Sequence, residues 1–201
     1  MTSSRAILLL AVSCLVLGAS QGQATSEIGV YFDGAAQVYE AQVGVFAPVR
    51  IYIILTGSSL ASVDGLQLAY NVSGGSGETP SVLRISQDLY GATGASSDNG
   101  VAGEYDLSWA TPRPVGRALV LISWVLMITT PHPRLISLAE IANPAISDGI
   151  PEISSNGQWL AASIHASCGC YPEWCPSAVI NMHCGVAVDD GSWGGVKALY
   201  R

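Results

Sequence analysis

The residues best suited to chemistry crowd into one stretch near the C-terminus: His165-Ala-Ser-Cys168-Gly-Cys170-Tyr-Pro-Glu-Trp174-Cys175, followed by Asn181-Met-His183-Cys184. The cysteine spacing is C-x-C-x4-C-x8-C. Two chemistries use such a cluster: thiol pairs that oxidise to disulfides, and thiolate–imidazole sets that hold zinc, for which His165 and His183 would supply nitrogen. Zinc knuckles space their cysteines C-x2-4-C, and Cys168-Gly-Cys170 is tighter than that. Disulfides among Cys168, Cys170, Cys175 and Cys184 are therefore the favoured reading, provided the chain is exported. Four cysteines allow three connectivities. Cys175 with Cys184 would clip the intervening strand to its neighbours, Cys168 with Cys170 would close a strained small ring, and crossed pairings stay open. The same segment carries Tyr171 and Trp174. A pinned loop that presents two aromatic rings can stack on sugars or grip a protein; alternatively, both rings cap the edge of the core.

Other reactive patterns fail on spacing. Copper on a β-sandwich needs ligands from neighbouring strands, whereas Met182, His183 and Cys184 are consecutive and alternate between faces. There is no Gly-x-Ser-x-Gly elbow and no His-Glu-x-x-His, and His132 sits between two prolines, the mark of a solvated turn. Glu104 with Asp106, and Asp189 with Asp190, read as surface turns; carboxylate pairs brought together from distant strands would leave no local trace. Calcium has oxygen donors at Asp98 and Asn99 or at Asp189 and Asp190, but no ligand spacing repeats. The expectation is a protein without catalytic residues, metal or cofactor, calcium being the one alternative.

The elements that would position these residues follow an N-terminal leader. Arg5 is the lone charge before Glu27, residues 6–17 are almost unbroken apolar, and small residues follow, with cleavage expected after Ser20 or Ala24. The apolar run is shorter than the roughly 20 residues that cross a bilayer. Cys14 lies inside that run with Leu15, Val16 and Leu17 still to come, which argues against a lipoprotein signal. Residues 1–24 are thus expected to be a cleaved signal peptide and 25–201 a single domain, exported to the extracellular space or cell surface, with the periplasm as an alternative. Without Arg5, seven basic residues face fifteen acidic ones, a net charge of −8. The basic residues form no cluster, which excludes nucleic acid as a partner and electrostatic attachment to membranes.

Short β runs fill the domain. Ile28–Asp33, Pro48–Leu55, Val82–Ile85, Tyr105–Trp109, Trp159–Ile164 and Ala178–Met182 read as strands. Leu66, Leu68, Tyr70 and Val72 alternate with Gln67, Ala69 and Asn71, a strand with one buried face. Ala118–Thr129 is an apolar run interrupted by Ser123 and Trp124, which fits a buried central strand better than a membrane span. Ile136–Ile141 is a short strand or a single helical turn. Residues 73–80 and 91–103, rich in Gly and Ser, read as loops. About ten short strands and no long helix predict an all-β, two-sheet antiparallel sandwich with a disulfide-stapled C-terminal region.

Ile28-Gly-Val-Tyr-Phe-Asp33 directly after a leader, the strand Arg50–Leu55 followed by a Gly-Ser turn, Ala178-Val-Ile-Asn181 among cysteines, and the closing Trp193-Gly-Gly-Val-Lys-Ala-Leu-Tyr-Arg201 together resemble a family of secreted bacterial β-sandwich proteins. Their strand pattern is similar to cohesin and immunoglobulin-like sandwiches. The resemblance implies such a fold across most of the mature chain and carries no catalytic residue. Residues 192–201, with Trp193, Val196 and Tyr200 on one face of a short helix, either pack on the sandwich or serve as an address. The function expected is a non-enzymatic adhesion or interaction module whose partner is a protein or glycan at the cell surface or in the extracellular matrix. The alternative is a secreted polysaccharide-active hydrolase or carbohydrate-binding protein.

Overall fold

The computed structural model describes residues 26–74, 81–167 and 176–182. They form thirteen strands in two sheets. One sheet has five strands, in the order β12 (Ser163–Ile164), β1 (Glu27–Tyr31), β3 (Pro48–Thr56), β8 (Ala118–Ile128) and β5 (Val82–Asp88). The other is built on the long strand β4 (Ser62–Gly74). One edge of β4 pairs with β7 (Ala102–Pro114), which carries β6 (Thr93–Asp98) outside it. The other edge pairs first with β10 (Glu152–Ser155) and then with β9 (Arg134–Ala139). β11 (Gln158–Ala161) extends β10, while β13 (Ala178–Ile180) and β2 (Glu40–Ala41) extend β9. Pairing is antiparallel except where β12 joins β1 and β2 joins β13.

The alternation read in β4 is what builds the core. Leu66, Leu68, Tyr70 and Val72 point inward and are at most 4% exposed. They meet Ile51, Ile53, Ile122, Trp124, Leu126 and Ile128 of the five-stranded sheet, all buried. Each fully buried side chain of this kind contributes about 1.5–3 kcal/mol. The run 118–129 is an interior strand of its sheet, as its composition predicts, and Trp124 does not interrupt it: the ring is buried and its Nε1–H donates to the Tyr105 hydroxyl at 3.2 Å.

One open expectation is settled and one is corrected. Of the two readings of Ile136–Ile141, a short strand or a helical turn, the strand holds; it begins at Arg134 and ends at Ala139. Residues 91–103 are not a loose loop, because Thr93–Asp98 is a regular strand against β7. Its Gly, Ala and Ser residues carry no side-chain periodicity, and backbone pairing alone holds it. At Gly94 (φ +146°) an added Cβ would lie 2.1 Å from the Asp106 carbonyl oxygen. Gly94→Ala is therefore expected to destabilise the protein by about 1–3 kcal/mol through backbone that cannot move aside. Urea unfolding would show this as a lower midpoint; an unchanged midpoint would mean that β6 does not lie this close to β7.

Candidate binding surface

Strand β5 is inverted relative to an ordinary half-buried edge strand. Its one basic residue, Arg84, faces the interior, while Leu83 and Ile85 face solvent and are each 53% exposed. A register shift between Arg84 and Ser86 marks a bulge at Ile85, the device by which an edge strand re-aims a side chain.

A polar network that ties the two sheets together causes the inversion. Arg84 is ion-paired through Nη1 with Asp98 Oδ2, and the same nitrogen donates to the hydroxyls of Tyr70 (3.1 Å) and Tyr105 (3.0 Å). Asp98 Oδ1 accepts from the Tyr70 hydroxyl at 2.6 Å and from Gly100 N–H at 2.7 Å, and its Oδ2 accepts from the Tyr105 hydroxyl at 2.6 Å. Tyr105 also lies 2.9 Å from Gln87 Oε1. The two tyrosine rings stack at 5.7 Å, with Trp124 against both. Burial by itself would raise the Asp98 carboxyl; its four donors outweigh that and hold it at about 2. For Tyr70 and Tyr105, burial first and the adjacent carboxylate second push the phenols well above their usual range, so both hydroxyls stay protonated donors. These partners hold Arg84 inward, and strand alternation then leaves its two apolar neighbours outside.

Cross-strand register extends the patch. Pro48 of β3, Met127 of β8 and Leu83 of β5 stand in one row on the outer face. Arg50, Val125 and Ser86 form the next row, and Tyr52, Ser123 and Asp88 the one after. Phe46, 66% exposed, is tied beside them by its N–H to the Ile128 carbonyl at 2.7 Å. An apolar centre ringed by Arg50, Ser86, Asp88 and Tyr52 has the anatomy of a protein interface. Sequence reading missed it. Leu83-Arg84-Ile85 shows the right period for a strand, but period alone does not say which face is buried.

Of the residues singled out from sequence, Asp98 lies in this network. Cys168, Cys170, Tyr171, Trp174, Cys175, His183 and Cys184 lie outside the described residues, as do Asp189, Asp190, the leader and the tail 192–201. The base of the 168–175 segment is described: Ser167 N–H and Oγ–H both donate to the Pro176 carbonyl, at 3.0 and 2.9 Å. Beside it, His165 Nδ1 lies 3.2 Å from Glu27 Oε1, and its ring stacks on Tyr31 at 5.4 Å. A calcium site at Asp98 and Asn99 is contradicted. Both Asp98 oxygens are taken by Arg84 and three other donors, and Asn99 Oδ1 accepts from Val101 and Ala102 N–H to close the β6–β7 turn. Glu104 and Asp106, expected on a turn, lie within β7; they accept from Ala142 N–H and from the Gln67 amide. His132 is exposed on a turn, as its flanking prolines indicate.

The fold is cohesin-like. The chain superposes on the sixth cohesin of scaffoldin B from Acetivibrio cellulolyticus, solved in complex with a mutant Cel5 dockerin, with a TM-score of 0.52 at 10% identity over 79% of this chain and 99% of that one. It superposes on a type II cohesin domain from the cellulosome of the same organism with a TM-score of 0.50 at 15% identity, over 80% of this chain and 97% of that one. No protein-family model matches the chain, and no curated protein matches it in sequence. Of the two sandwich patterns the sequence resembles, the cohesin one describes the fold.

Proposed function

We propose that this chain is a secreted, non-catalytic interaction module that docks a protein partner on the outer face of its five-stranded sheet. The observation that carries the reading is the inverted strand β5. Leu83 and Ile85 are held in solvent by the ion pair of Arg84 with Asp98, and a small soluble domain seldom spends a buried charge network on exposing two large aliphatic side chains. A cohesin-like fold supports it, since one of the similar cohesins was solved with a dockerin seated on it. The partner is then a dockerin-type or other extracellular protein at the cell surface or in the matrix. A cleaved leader at 1–24 and disulfides among the four C-terminal cysteines belong to the same reading. Tyr171 and Trp174 would add a second contact, on a segment whose ends are pinned by Ser167 and Pro176.

The hydrolase alternative finds little support. A shallow, open depression lined by Tyr70, Asp98, Asn99 and Glu104 brings two carboxylates to one place. Asp98 is ionised, saturated with donors and held at about 2, so it has no proton to give a leaving group and no free lone pair to activate water. The test is retention on immobilised chain. A protein from the extracellular fraction of the producing organism should bind at micromolar affinity or tighter, while cellulose, xylan and chitin remain unbound and uncut. Turnover of a polysaccharide that vanishes when a carboxylate is removed would overturn the proposal.

A further inference from the structure

A second constellation lies on the opposite sheet. β9 and β10 run along the same edge of β4, with Ala139 opposite Ala69 and Glu152 opposite Gln67. The chain between them, residues 140–151, makes an excursion over the outer face instead of a tight turn. Gln67 holds this roof down, its Oε1 accepting from Ala145 N–H at 2.8 Å and its Nε2 donating to Asp106 Oδ1 at 3.2 Å. Strand alternation sends Ile153 inward beside Leu66 and Glu152 outward, where a glutamate would ordinarily meet water. Under the roof, Glu152 is 0% exposed.

Its carboxylate is half satisfied. Oε1 accepts from Ile146 N–H at 3.2 Å; Oε2 is buried and has no hydrogen-bond partner. Glu140 and Asp148 converge on it, and one oxygen from each of the three carboxylates lies within 4.8 Å of the other two. Loop amides occupy the remaining positions. Glu140 Oε1 accepts from Asp148 N–H at 2.8 Å and Gly149 N–H at 3.1 Å, and Asp148 Oδ1 accepts from Ile150 N–H at 3.2 Å. Among the described residues no Lys, Arg or His is ion-paired with any of the three. Three acidic groups gathered round an orphaned, fully buried oxygen need either a proton or a cation.

Donor type selects the cation. All three ligands are hard oxygens, which excludes the nitrogen and sulfur sets of zinc and copper. The three oxygens lie within 4.8 Å of one another, close enough for one ion to reach all of them with little movement. Calcium accepts an irregular shell of about six to eight oxygens, whereas magnesium demands near-ideal octahedral geometry and dehydrates reluctantly, so carboxylates on a loop suit calcium better. Asp148 is exposed and would give an ion a way in, and water would complete its shell. We propose that Glu140, Asp148 and Glu152 form a calcium site that fastens the 140–151 roof to the outer face of the eight-stranded sheet. The site lies on the sheet away from Leu83 and Ile85, so calcium acts here through stability and not as a bridge to the partner.

The test is calcium chloride added to full-length protein freed of metal with EDTA, followed by titration calorimetry and thermal melting. One site should appear, with a Kd of about 10⁻⁴ M, in the range of extracellular modules. The melting temperature should rise by several degrees at millimolar calcium, and much less with magnesium. Glu152→Gln and Asp148→Asn should each weaken calcium at least tenfold and abolish the calcium-dependent shift. Asp148 is exposed, so its variant carries the test should Glu152→Gln fail to fold. No calcium heat, no shift in melting, and a Glu152→Gln protein that melts higher than wild type would overturn the proposal: Glu152 would then be a buried neutral acid.

Discussion

Asp98→Ala is expected to cost this fold about 3–5 kcal/mol, the usual loss when one partner of a buried ion pair is removed. The side chains of Asp98 and Arg84 are only 7% and 16% exposed. Deleting the carboxylate leaves the guanidinium buried without a counter-charge, and two buried hydroxyls, Tyr70 and Tyr105, lose their common acceptor. The pair joins the edge strand of one sheet to the edge hairpin of the other, so its loss should open that side of the sandwich. Urea unfolding measures the effect; a change under about 1 kcal/mol would mean that the pair behaves as a surface salt bridge. The pH dependence has a defined sign. The Asp98 carboxyl sits at about 2 in the folded protein against 3.8 for the free group. A folded value below the unfolded one gives stability that is complete above about pH 5 and is lost as the pH falls through 3.8 towards 2, on the order of 2–3 kcal/mol in all. Asp98→Ala should lack that limb of the acid-unfolding curve.

The parts of this architecture that sequence discloses are those in which a side-chain period matches a buried face. Leu66, Leu68, Tyr70 and Val72 gave β4 its inward face, and the apolar run from Ala118 marked an interior strand. β6 was illegible because Gly94, Ala95, Ser96 and Ser97 carry no such period; backbone pairing with β7 made it a strand. The outward face of Leu83 and Ile85 was illegible for a different reason. Arg84 in a strand reads as solvent-facing until Asp98, fourteen residues away, is known to lie opposite it. Glu152 was hidden likewise, since nothing in Glu152-Ile-Ser-Ser says that residues 140–151 fold back over its outward face. Local pattern fixes strands; charges that meet across the sandwich fix what those strands present. The cysteine segment, from which the sequence reading of a binding loop started, lies outside the described residues, and the roles of Tyr171 and Trp174 stay proposals.

Leu83→Asp with Ile85→Asp tests the proposed docking face most directly. Both side chains stand outside the core, so the double variant should fold and melt within about 2 °C of wild type, surface changes being worth about 0.5 kcal/mol or less. Two carboxylates at the apolar centre of an interface would have to be desolvated against the partner. Loss of two anchoring side chains and burial of two charges should together weaken binding about a hundredfold or more. The measurement is titration calorimetry of the purified partner, obtained by retention on wild-type chain, against wild type and the double variant side by side. The account predicts a Kd at least about a hundredfold weaker at an unchanged melting temperature. Equal affinity for both proteins would contradict it and move the site off the five-stranded sheet.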